Sequence, residues 1–387
     1  MSAPAPPLPR YGEASLADLL PSLLAALDVP GFANPLGVEP LRRACLLVVD
    51  GLGWELLLAN RRVAPVLAAA AERGRPVTTG FPSTTSTSLA SIGTGLPPGR
   101  HGLVGYTMAL PGMERAFNCL RWSPYGLGSA KDLRDRFVPE RVQPEPTAFE
   151  VAVADGVEVT SVGAGQFAAS GFTRAALRGG EYWRTHSLGD QADGALRGLG
   201  KGRRSLVYVY HPDLDRTGHV RGTDGQAWRL ELAHVDQLVG QIAERLGGDA
   251  ALFVTGDHGM VDLRPEERVD LADRPELAAG VRLLAGEARA RHVHTERGAA
   301  GDVLATWRGL LGHAMWVVSG EEAIAAGWFG PQVADEARAR IGDVVAAAHG
   351  PIGVVQREVD PTQAVLTGHH GSMTTAEQLV PFLELRR

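Results

Sequence analysis

The chain has 387 residues, of which 44% are hydrophobic and 21% are charged, and its formal net charge is -6. This apolar fraction is that of an ordinary globular protein, which excludes disorder over most of the chain. The acidic balance excludes a protein that tracks long nucleic acid through a basic surface, so we expect no nucleic acid polymer among its partners. The length fits two to three domains, or one large α/β domain with an insertion.

The cysteines and the N-terminal residues bear on the compartment. Cys45 and Cys119 form no Cys-x-x-Cys or zinc-finger pattern, and two cysteines cannot make a disulfide framework. The N-terminal segment MSAPAPPLPR lacks the charged-then-apolar pattern of a secretory signal. No apolar run approaches the roughly 20 residues that span a bilayer. We therefore expect a cytoplasmic protein without a membrane partner, and the sequence leaves its oligomeric state open.

Short apolar runs alternate with helical periodicity along the chain. Such runs, bounded by polar residues and glycines, are typical of strands buried on both faces of a sheet. In chain order the pattern predicts a helix at Ser15–Leu27, a strand at Ala44–Val49, a helix at Val63–Arg73, a strand at Ser205–Tyr210, a helix at Gly225–Leu246, a strand at Ala250–Thr255, a helix at Pro331–Ala348 and a weaker strand at Gln363–Thr367. This alternation favours an α/β fold with a largely parallel sheet and helices on both faces.

One segment departs from the alternation. The pattern from Val281 to Phe329 predicts strands at Val281–Ala285 and Ala290–Thr295, a helix at Asp302–Leu311, a strand at Met315–Ser319 and a final helix. That order is typical of a small α+β unit. We therefore expect a single domain over residues 1–387, with a small α+β lobe inserted at residues 265–335.

Each of the predicted buried strands runs directly into acids or histidines. In chain order these residues are Asp50, Asp213, Asp215, His219, Asp257, His258, His369 and His370. Because ligands of open α/β sheets bind at the carboxyl ends of the strands, residues far apart in sequence are expected to converge there. A mixed set of carboxylates and imidazoles suits zinc, manganese or a similar divalent ion.

Each of these motifs also has a simple structural interpretation. An Asp-Gly pair after a strand is typical of a turn, and an Asp-His pair between glycines is typical of turn chemistry as well. The metal-site interpretation is favoured because four strand ends carry ligand-type side chains together with flanking glycines.

A run rich in hydroxyl residues, Gly80–Gly102, leads into a segment of helical character at Ser88–Ile92. Ser and Thr are good N-cap residues, so the run could simply begin a helix. The same helix start could bind phosphate through its backbone N–H groups and dipole. A hydroxyl at this position could also coordinate a metal and act as a nucleophile.

The order of these motifs resembles the alkaline phosphatase superfamily, and within it the nucleotide pyrophosphatase/phosphodiesterase branch. The resemblance covers the chain from about Arg43 to Leu383 and implies a three-layer α/β/α core. It implies two divalent ions, Mn²⁺ or Zn²⁺, with one held by Asp215, His219 and His370. The other would be held by Asp50, Asp257 and His258 and bridged by a nucleophile.

The resemblance places the nucleophilic threonine ten residues before the glycine of the TG pair, which gives Thr85, with Thr84 as the alternative. The usual Thr-Phe-Pro-Asn context is absent, because Ser86 follows Thr85. The asparagine that supports the phosphate oxygens in the family has its nearest counterpart in Asn118. His369 has a structural role in this scheme, and Asp213 caps a loop.

The function that this resemblance implies is a metal-dependent phosphodiesterase with a small nucleotide diester as its substrate. The chain is similar to bacterial cytosolic cyclic di-AMP phosphodiesterases, which implies hydrolysis of cyclic di-AMP to linear pApA and AMP through a phospho-threonine intermediate. The alternatives are a general nucleotide pyrophosphatase/phosphodiesterase, a phosphonoacetate-type C–P hydrolase and a non-catalytic nucleotide sensor. Five aromatic residues either stack on a base or belong to the core: Trp122, Phe167, Trp183, Tyr208 and Tyr210.

Overall fold

The structure, a computed structural model, describes residues 5–128 and 131–387. The strands are β1 Arg43–Val49, β2 Arg75–Thr78, β3 Thr107–Met108, β4 Phe117–Asn118, β5 Ser123–Pro124, β6 Glu158–Ala164, β7 Glu181–Thr185, β8 Ser205–His211, β9 Ala250–Gly256, β10 Val261–Asp262, β11 Arg268–Asp270, β12 Val281–Glu287, β13 Ala290–Thr295, β14 Met315–Ser319, β15 Val344–Ala348, β16 Gly353–Val355, β17 Gly368–His369 and β18 Leu379–Arg386.

The helices surround these strands. They are α1 Leu19–Ala26, α2 Trp54–Ala59, α3 Pro65–Ala71, α4 Thr85–Thr94, α5 Pro98–His101, α6 Pro139–Val142, α7 Ala148–Ala154, α8 Gly171–Ala176, α9 Leu188–Leu199, α10 Asp213–Arg221, α11 Gln226–Ala243, α12 Pro275–Ala278, α13 Ala300–Leu311, α14 Gly320–Ala325, α15 Asp335–Arg338 and α16 Thr375–Gln378. Within the described ranges, no helix combines the length and apolarity that crossing a membrane requires.

The central sheet has the strand order β2-β18-β9-β1-β8-β6-β7. The neighbours β9, β1, β8, β6 and β7 are parallel, whereas β18 is antiparallel to both β2 and β9. Side chains of β1 alternate between the two faces, so that Leu46 joins one apolar core and Leu47 joins the other. Helices α1, α4 and α7 cover the first face, and α3, α9 and α11 cover the second. The predicted three-layer α/β/α fold class is therefore confirmed.

A second sheet has the order β12-β13-β15-β14 and is antiparallel throughout. Its apolar face packs with Trp307 of α13 in a core of its own. The strand predictions at Ala290–Thr295 and Met315–Ser319 agree with β13 and β14. The sheet extends past residue 335, because its interior strand β15 lies at Val344–Ala348.

Two predicted elements are wrong. The segment Pro331–Ala348 is not one helix, because its alanine-rich end forms β15 between β13 and β14, where pairing on both sides outweighs the helical preference of alanine. The segment Gln363–Thr367 is not a buried strand, because it forms a short 3-10 helix and Val365 is 72% exposed. The C-terminal strand of the central sheet is instead β18.

A buried ion pair joins the second sheet to the chain segment before β18. Arg289, in the turn between β12 and β13, donates to both carboxylate oxygens of Glu377 at 3.1 and 2.7 Å. Glu377 also accepts from the backbone N–H of Ser372 and the hydroxyl of Thr374. The pair therefore fixes the loop that follows His370 against the second sheet.

We predict that Glu377→Gln lowers the free energy of unfolding by about 3–5 kcal/mol, because it leaves the buried Arg289 guanidinium without a counter-charge. Urea denaturation measures the loss. The matched control is Glu321→Gln, which removes the exposed partner of Arg338 and should cost less than about 1 kcal/mol. Equal losses in the two variants would contradict this role for the buried pair.

Candidate active site

Acidic side chains follow the ends of three neighbouring strands of the central sheet. Strand β1 pairs in parallel with β8 and with β9, and Val49 lies opposite both His211 and Gly256. Asp50 follows β1, Asp257 follows β9, and Asp215 lies in the first turn of α10 after β8. Because the three strands end at the same level, their carboxylates gather at one edge of the sheet.

Gly51 permits the close approach of these strand ends. Its φ of +76° lies in the left-handed region, and a Cβ at this position would lie 3.0 Å from the Cα and Cβ of Asp215. The Gly51 N–H donates to Asp257 Oδ1 at 3.0 Å. The Asp-Gly turn after β1 therefore turns the chain and also packs against Asp215 and donates a hydrogen bond to Asp257.

Three histidines face these carboxylates. The Nε2 atom of His219 lies 3.3 Å from Asp215 Oδ2, one helical turn away on α10. The Nε2 of His258 lies 3.3 Å from Asp50 Oδ1, and that of His370 lies 4.0 Å from Asp215 Oδ1. The rings of His258 and His370 stack at 3.6 Å. The structure thus brings all six residues predicted to bind metal into one group, which we call the acid–histidine group.

Backbone carbonyls hold the other nitrogen of each ring. The Nδ1 atoms lie 2.7 Å from the carbonyl oxygen of Gly368 for His219, 2.9 Å from that of Gly259 for His258, and 3.0 Å from that of Ser83 for His370. A donated Nδ1–H bond fixes the tautomer and leaves Nε2 free to bind a metal, as is usual for metal-ligating histidines. His369 differs, because its Nε2 faces the carbonyl of Leu366 at 3.1 Å.

The acidic group fits a cation. Among the described residues, Asp50 Oδ1, Asp215 Oδ1 and Asp257 Oδ2 are buried and have no hydrogen-bond partner. Burial, followed by repulsion from neighbouring carboxylates, raises the pKa of Asp50 and of Asp257 well above the usual range. Although burial opposes a charge on His219, the Asp215 carboxylate raises its pKa to about 9. A proton or a metal ion would stabilise the buried, unpartnered oxygens of Asp50 and Asp257.

Among the six residues predicted to bind metal, two sets of three ligand atoms lie within 4.8 Å of one another: Asp215 with His219 and His370, and Asp50 with Asp215 and His258. The first set coincides with one predicted ligand set. The second contains Asp215 where the sequence predicts Asp257. Asp257 Oδ1 accepts from the backbone N–H groups of Gly51 and His258, and its unpartnered Oδ2 lies 3.7 Å from His258 Nε2.

The two candidate nucleophiles differ in their surroundings. Thr84 is the N-cap of α4 and Thr85 is its first residue. The hydroxyl of Thr85 lies 3.2 Å from Nε2 of His258, whereas that of Thr84 donates to Glu287 Oε2 at 3.1 Å. Thr85 therefore faces the acid–histidine group, and Thr84 faces the second sheet.

Asn118 lies in β4 and lines the same cavity. Its Oδ1 accepts from the backbone N–H groups of Leu120 and Arg121, at 3.0 and 2.9 Å. Its Nδ2 donates to the hydroxyl of Tyr106 at 2.9 Å. The carbonyl end of Asn118 thus shapes a turn, and its amide nitrogen, which carries two N–H donors, contacts Tyr106.

Two further residues contact the acid–histidine group. The Tyr210 hydroxyl donates a hydrogen bond to Asp50 Oδ2. Glu287, at the end of β12, lies 3.4 Å from His370 Nδ1 and has an unpartnered buried oxygen. Burial raises the pKa of Glu287 to about 8. Sequence reasoning missed Glu287, because its predicted hairpin lies far in sequence from the residues predicted to bind metal.

A cavity of about 430 Å³ opens above these residues. Asp50, Thr85, Asp215 and His370 form its floor, and the segment from Asn118 to Gly128 and the segment from Val359 to Gln363 contribute walls. Its volume lies within the range of small-molecule sites. The cavity therefore gives a ligand direct access to the Thr85 hydroxyl.

The family model for type I phosphodiesterase / nucleotide pyrophosphatase matches residues 44–373, which is most of the chain. The chain belongs to this family. The family comprises divalent-metal-dependent phosphodiesterases, and the acid–histidine group provides candidate ligands for the metal. No curated protein was found with a significant sequence match to the chain.

Solved structures of ectonucleotide pyrophosphatase/phosphodiesterase 5 share the fold. The murine protein is 18% identical with a TM-score of 0.68, and the match covers 89% of this chain and 88% of that one. An inactive threonine-to-alanine variant of the murine protein, in complex with AMP, is 17% identical with a TM-score of 0.67 and coverage of 88% and 87%. The human protein is 18% identical with a TM-score of 0.67, and the match covers 88% of this chain and 87% of that one.

We predict that saturating Mn²⁺ or Zn²⁺ raises the thermal midpoint of chelator-treated protein by about 5 °C, because a ligand at 100 times its Kd adds roughly 2.7 kcal/mol to stability. Differential scanning calorimetry measures the shift. Asp257→Asn should reduce it, whereas Asp335→Asn, at an exposed helix start, should leave it unchanged. A full shift in Asp257→Asn would contradict a ligand role for Asp257.

Proposed function

We propose that this family member hydrolyses a small nucleotide diester, with cyclic di-AMP as the leading substrate, to linear pApA and AMP through a phospho-threonine intermediate. The observation that carries the proposal is the position of Thr85. Its hydroxyl lies 3.2 Å from His258 and faces the cavity that Asp50, Asp215 and His370 also line. A hydroxyl so placed is suited to be a nucleophile.

Two divalent ions, Mn²⁺ or Zn²⁺, belong to this proposal. Asp215, His219 and His370 would hold one, and Asp50, Asp257 and His258 the other. When bound, such ions lower the pKa of a hydroxyl and balance charge on a phosphate group. The unpartnered oxygens of the three aspartates support this assignment.

In the proposed reaction, Thr85 Oγ1 loses its proton to solvent and attacks the phosphorus atom, and the bond from phosphorus to the leaving ribose oxygen breaks. The ribose oxygen takes up a proton, and water then hydrolyses the phospho-threonine ester. Asn118 would donate its second amide N–H to a phosphate oxygen and hold it during the attack. Thr84, whose hydroxyl is bound to Glu287, would position the start of α4.

Charge supports a diester rather than a monoester. Asp50, Asp215 and Asp257 supply -3, two divalent ions supply +4, and a Thr85 alkoxide brings the sum to zero. A monoester carries about one more negative charge and usually calls for a further cationic clamp. We call the cavity of about 430 Å³ beside Thr85 the catalytic cavity. Among the described residues, Arg121 is the one arginine or lysine that lines it.

An aromatic cavity of about 130 Å³ adjoins Thr85 and supports a nucleotide substrate. Phe167, Tyr208 and Tyr210 line it together with Tyr182. Of the aromatic residues that the sequence offered for base stacking, Trp122 and Trp183 do not line this cavity. Aromatic walls are suited to stack on a nucleobase, so this cavity would hold the base next to the scissile phosphate.

The alternatives share parts of this site. A non-catalytic sensor would need the ligand set but not the Thr85 hydroxyl. A phosphonoacetate-type hydrolase would need the threonine and the metals, but not an aromatic cavity beside them.

A cytoplasmic location is also part of the proposal, and it is supported by Cys45 and Cys119, which are buried and form no disulfide.

We predict that Thr85→Ala lowers kcat by about 10⁴-fold or more, because it removes the nucleophile. Its metal content should stay at two ions per chain. The matched control is Thr84→Ala, which should keep most of the activity. Steady-state kinetics and elemental analysis measure the two properties. Loss of metal together with activity would instead assign Thr85 a ligand or structural role.

A substrate panel separates the proposed functions. The protein is incubated with Mn²⁺ or Zn²⁺ and with cyclic di-AMP, AMP or phosphonoacetate, and the products are resolved by chromatography. We expect pApA and AMP from cyclic di-AMP. Tight binding of cyclic di-AMP without products would identify a sensor, and phosphate release from phosphonoacetate would contradict the diester proposal.

A further inference from the structure

A second cavity, of about 390 Å³, lies beside the catalytic cavity. The two share Arg121 and Ser123 in their walls. The other walls of the second cavity come from the segment Gly165–Gly171, from Arg184 and from the pair Asp132 and Arg134. We call this space the arginine cavity. A ligand that extends past Ser123 from the catalytic cavity would enter it.

The charge of the arginine cavity is positive. Arg134 donates to both oxygens of Asp132, and these hydrogen bonds hold the pKa of Asp132 at about 2, so that the two charges cancel. Among the residues that the structure describes, no carboxylate pairs with Arg121 or Arg184. Two positive charges therefore remain without a paired carboxylate, that of Arg121, which lines both cavities, and that of Arg184, which lines the arginine cavity.

Both arginines are exposed residues, and the packing of their neighbours positions their backbone. Arg121 lies in the turn that Asn118 Oδ1 closes, and Trp122 follows it with a φ of +55°. The Trp122 indole donates to the carbonyl of Phe137 at 2.7 Å and packs against Gly171, where a Cβ would lie 2.3 Å from the ring. Arg184 lies in β7, opposite Gly163 of β6 in the central sheet.

We propose that the arginine cavity binds a second phosphate group of the substrate, between Arg121 and Arg184, while the scissile phosphodiester lies at Thr85. The inference deepens the proposed function and rests on it. Guanidinium groups bind phosphate through paired, charge-assisted hydrogen bonds. The substrate class is then a dinucleotide with two phosphates, and a diester with a single phosphate uses only half of the site.

Two linear substrates test this inference, because diadenylate ApA and its 5′-phosphorylated form pApA differ only in the second phosphate. The value of kcat/KM is measured for both with wild type, Arg184→Gln, Arg121→Gln and the double variant. The expected result is that wild type prefers pApA, and that each substitution lowers the ratio of pApA to ApA by about tenfold, mainly through the KM for pApA. Arg61→Gln, an exposed arginine outside both cavities, should keep the wild-type ratio.

An unchanged ratio in Arg184→Gln and in the double variant would overturn the inference, including the case in which both substrates lose activity equally. Failure of the proposed function gives a different result, namely no turnover of either substrate by metal-loaded wild type. In that case, calorimetric titration of pApA and of ApA into chelator-treated Thr85→Ala protein tests the inference independently of turnover. Tighter binding of pApA than of ApA, lost in the Arg121→Gln and Arg184→Gln background, supports it, and equal binding overturns it.

Discussion

The parallel register of β8, β1 and β9 is the constraint on which the site depends. These three strands end at the same level, so that the residues following them place three carboxylates in one buried space. Carboxylates confined in this way repel one another, and their unpartnered oxygens fit bound cations. The histidines, the Thr85 hydroxyl and the cavity are arranged around that charge. The parallel sheet therefore determines where the side chains of the candidate site converge.

The remaining parts of the site come from elements that pack onto this edge. The backbone N–H of Ser83 donates to Gly371 at 2.9 Å, which ties the loop of His370 to the start of α4. The buried pair of Arg289 and Glu377 then anchors the same loop to the second sheet. His370 and Thr85 are thus held by contacts between segments that lie almost 300 residues apart in sequence. These contacts bring distant segments of the chain together at the candidate site.

The sequence predicted the parts of the molecule in which periodicity and motif agree. The buried runs of β1, β8 and β9, each followed by ligand-type residues, predicted the α/β class and the convergence of the acids and histidines that follow them. His370 joins this group although the strand predicted before it is a short 3-10 helix. Alanine-rich β15 was predicted as helix, because its pairing with two strands is a tertiary effect. Glu287 and Arg184 were missed for the same reason, since only the folded chain brings β12 and β7 to the cavities. The roles of Thr85 and Asn118 remain predictions.

We propose that two metal ions bind beside Thr85, at the carboxyl ends of β8, β1 and β9. Anomalous diffraction from crystals grown with Mn²⁺ tests it directly. We expect two peaks, one bonded to Asp215, His219 and His370, the other to Asp50, Asp257 and His258, with the Thr85 hydroxyl beside the second. A single peak, or peaks bonded to other residues, would contradict it.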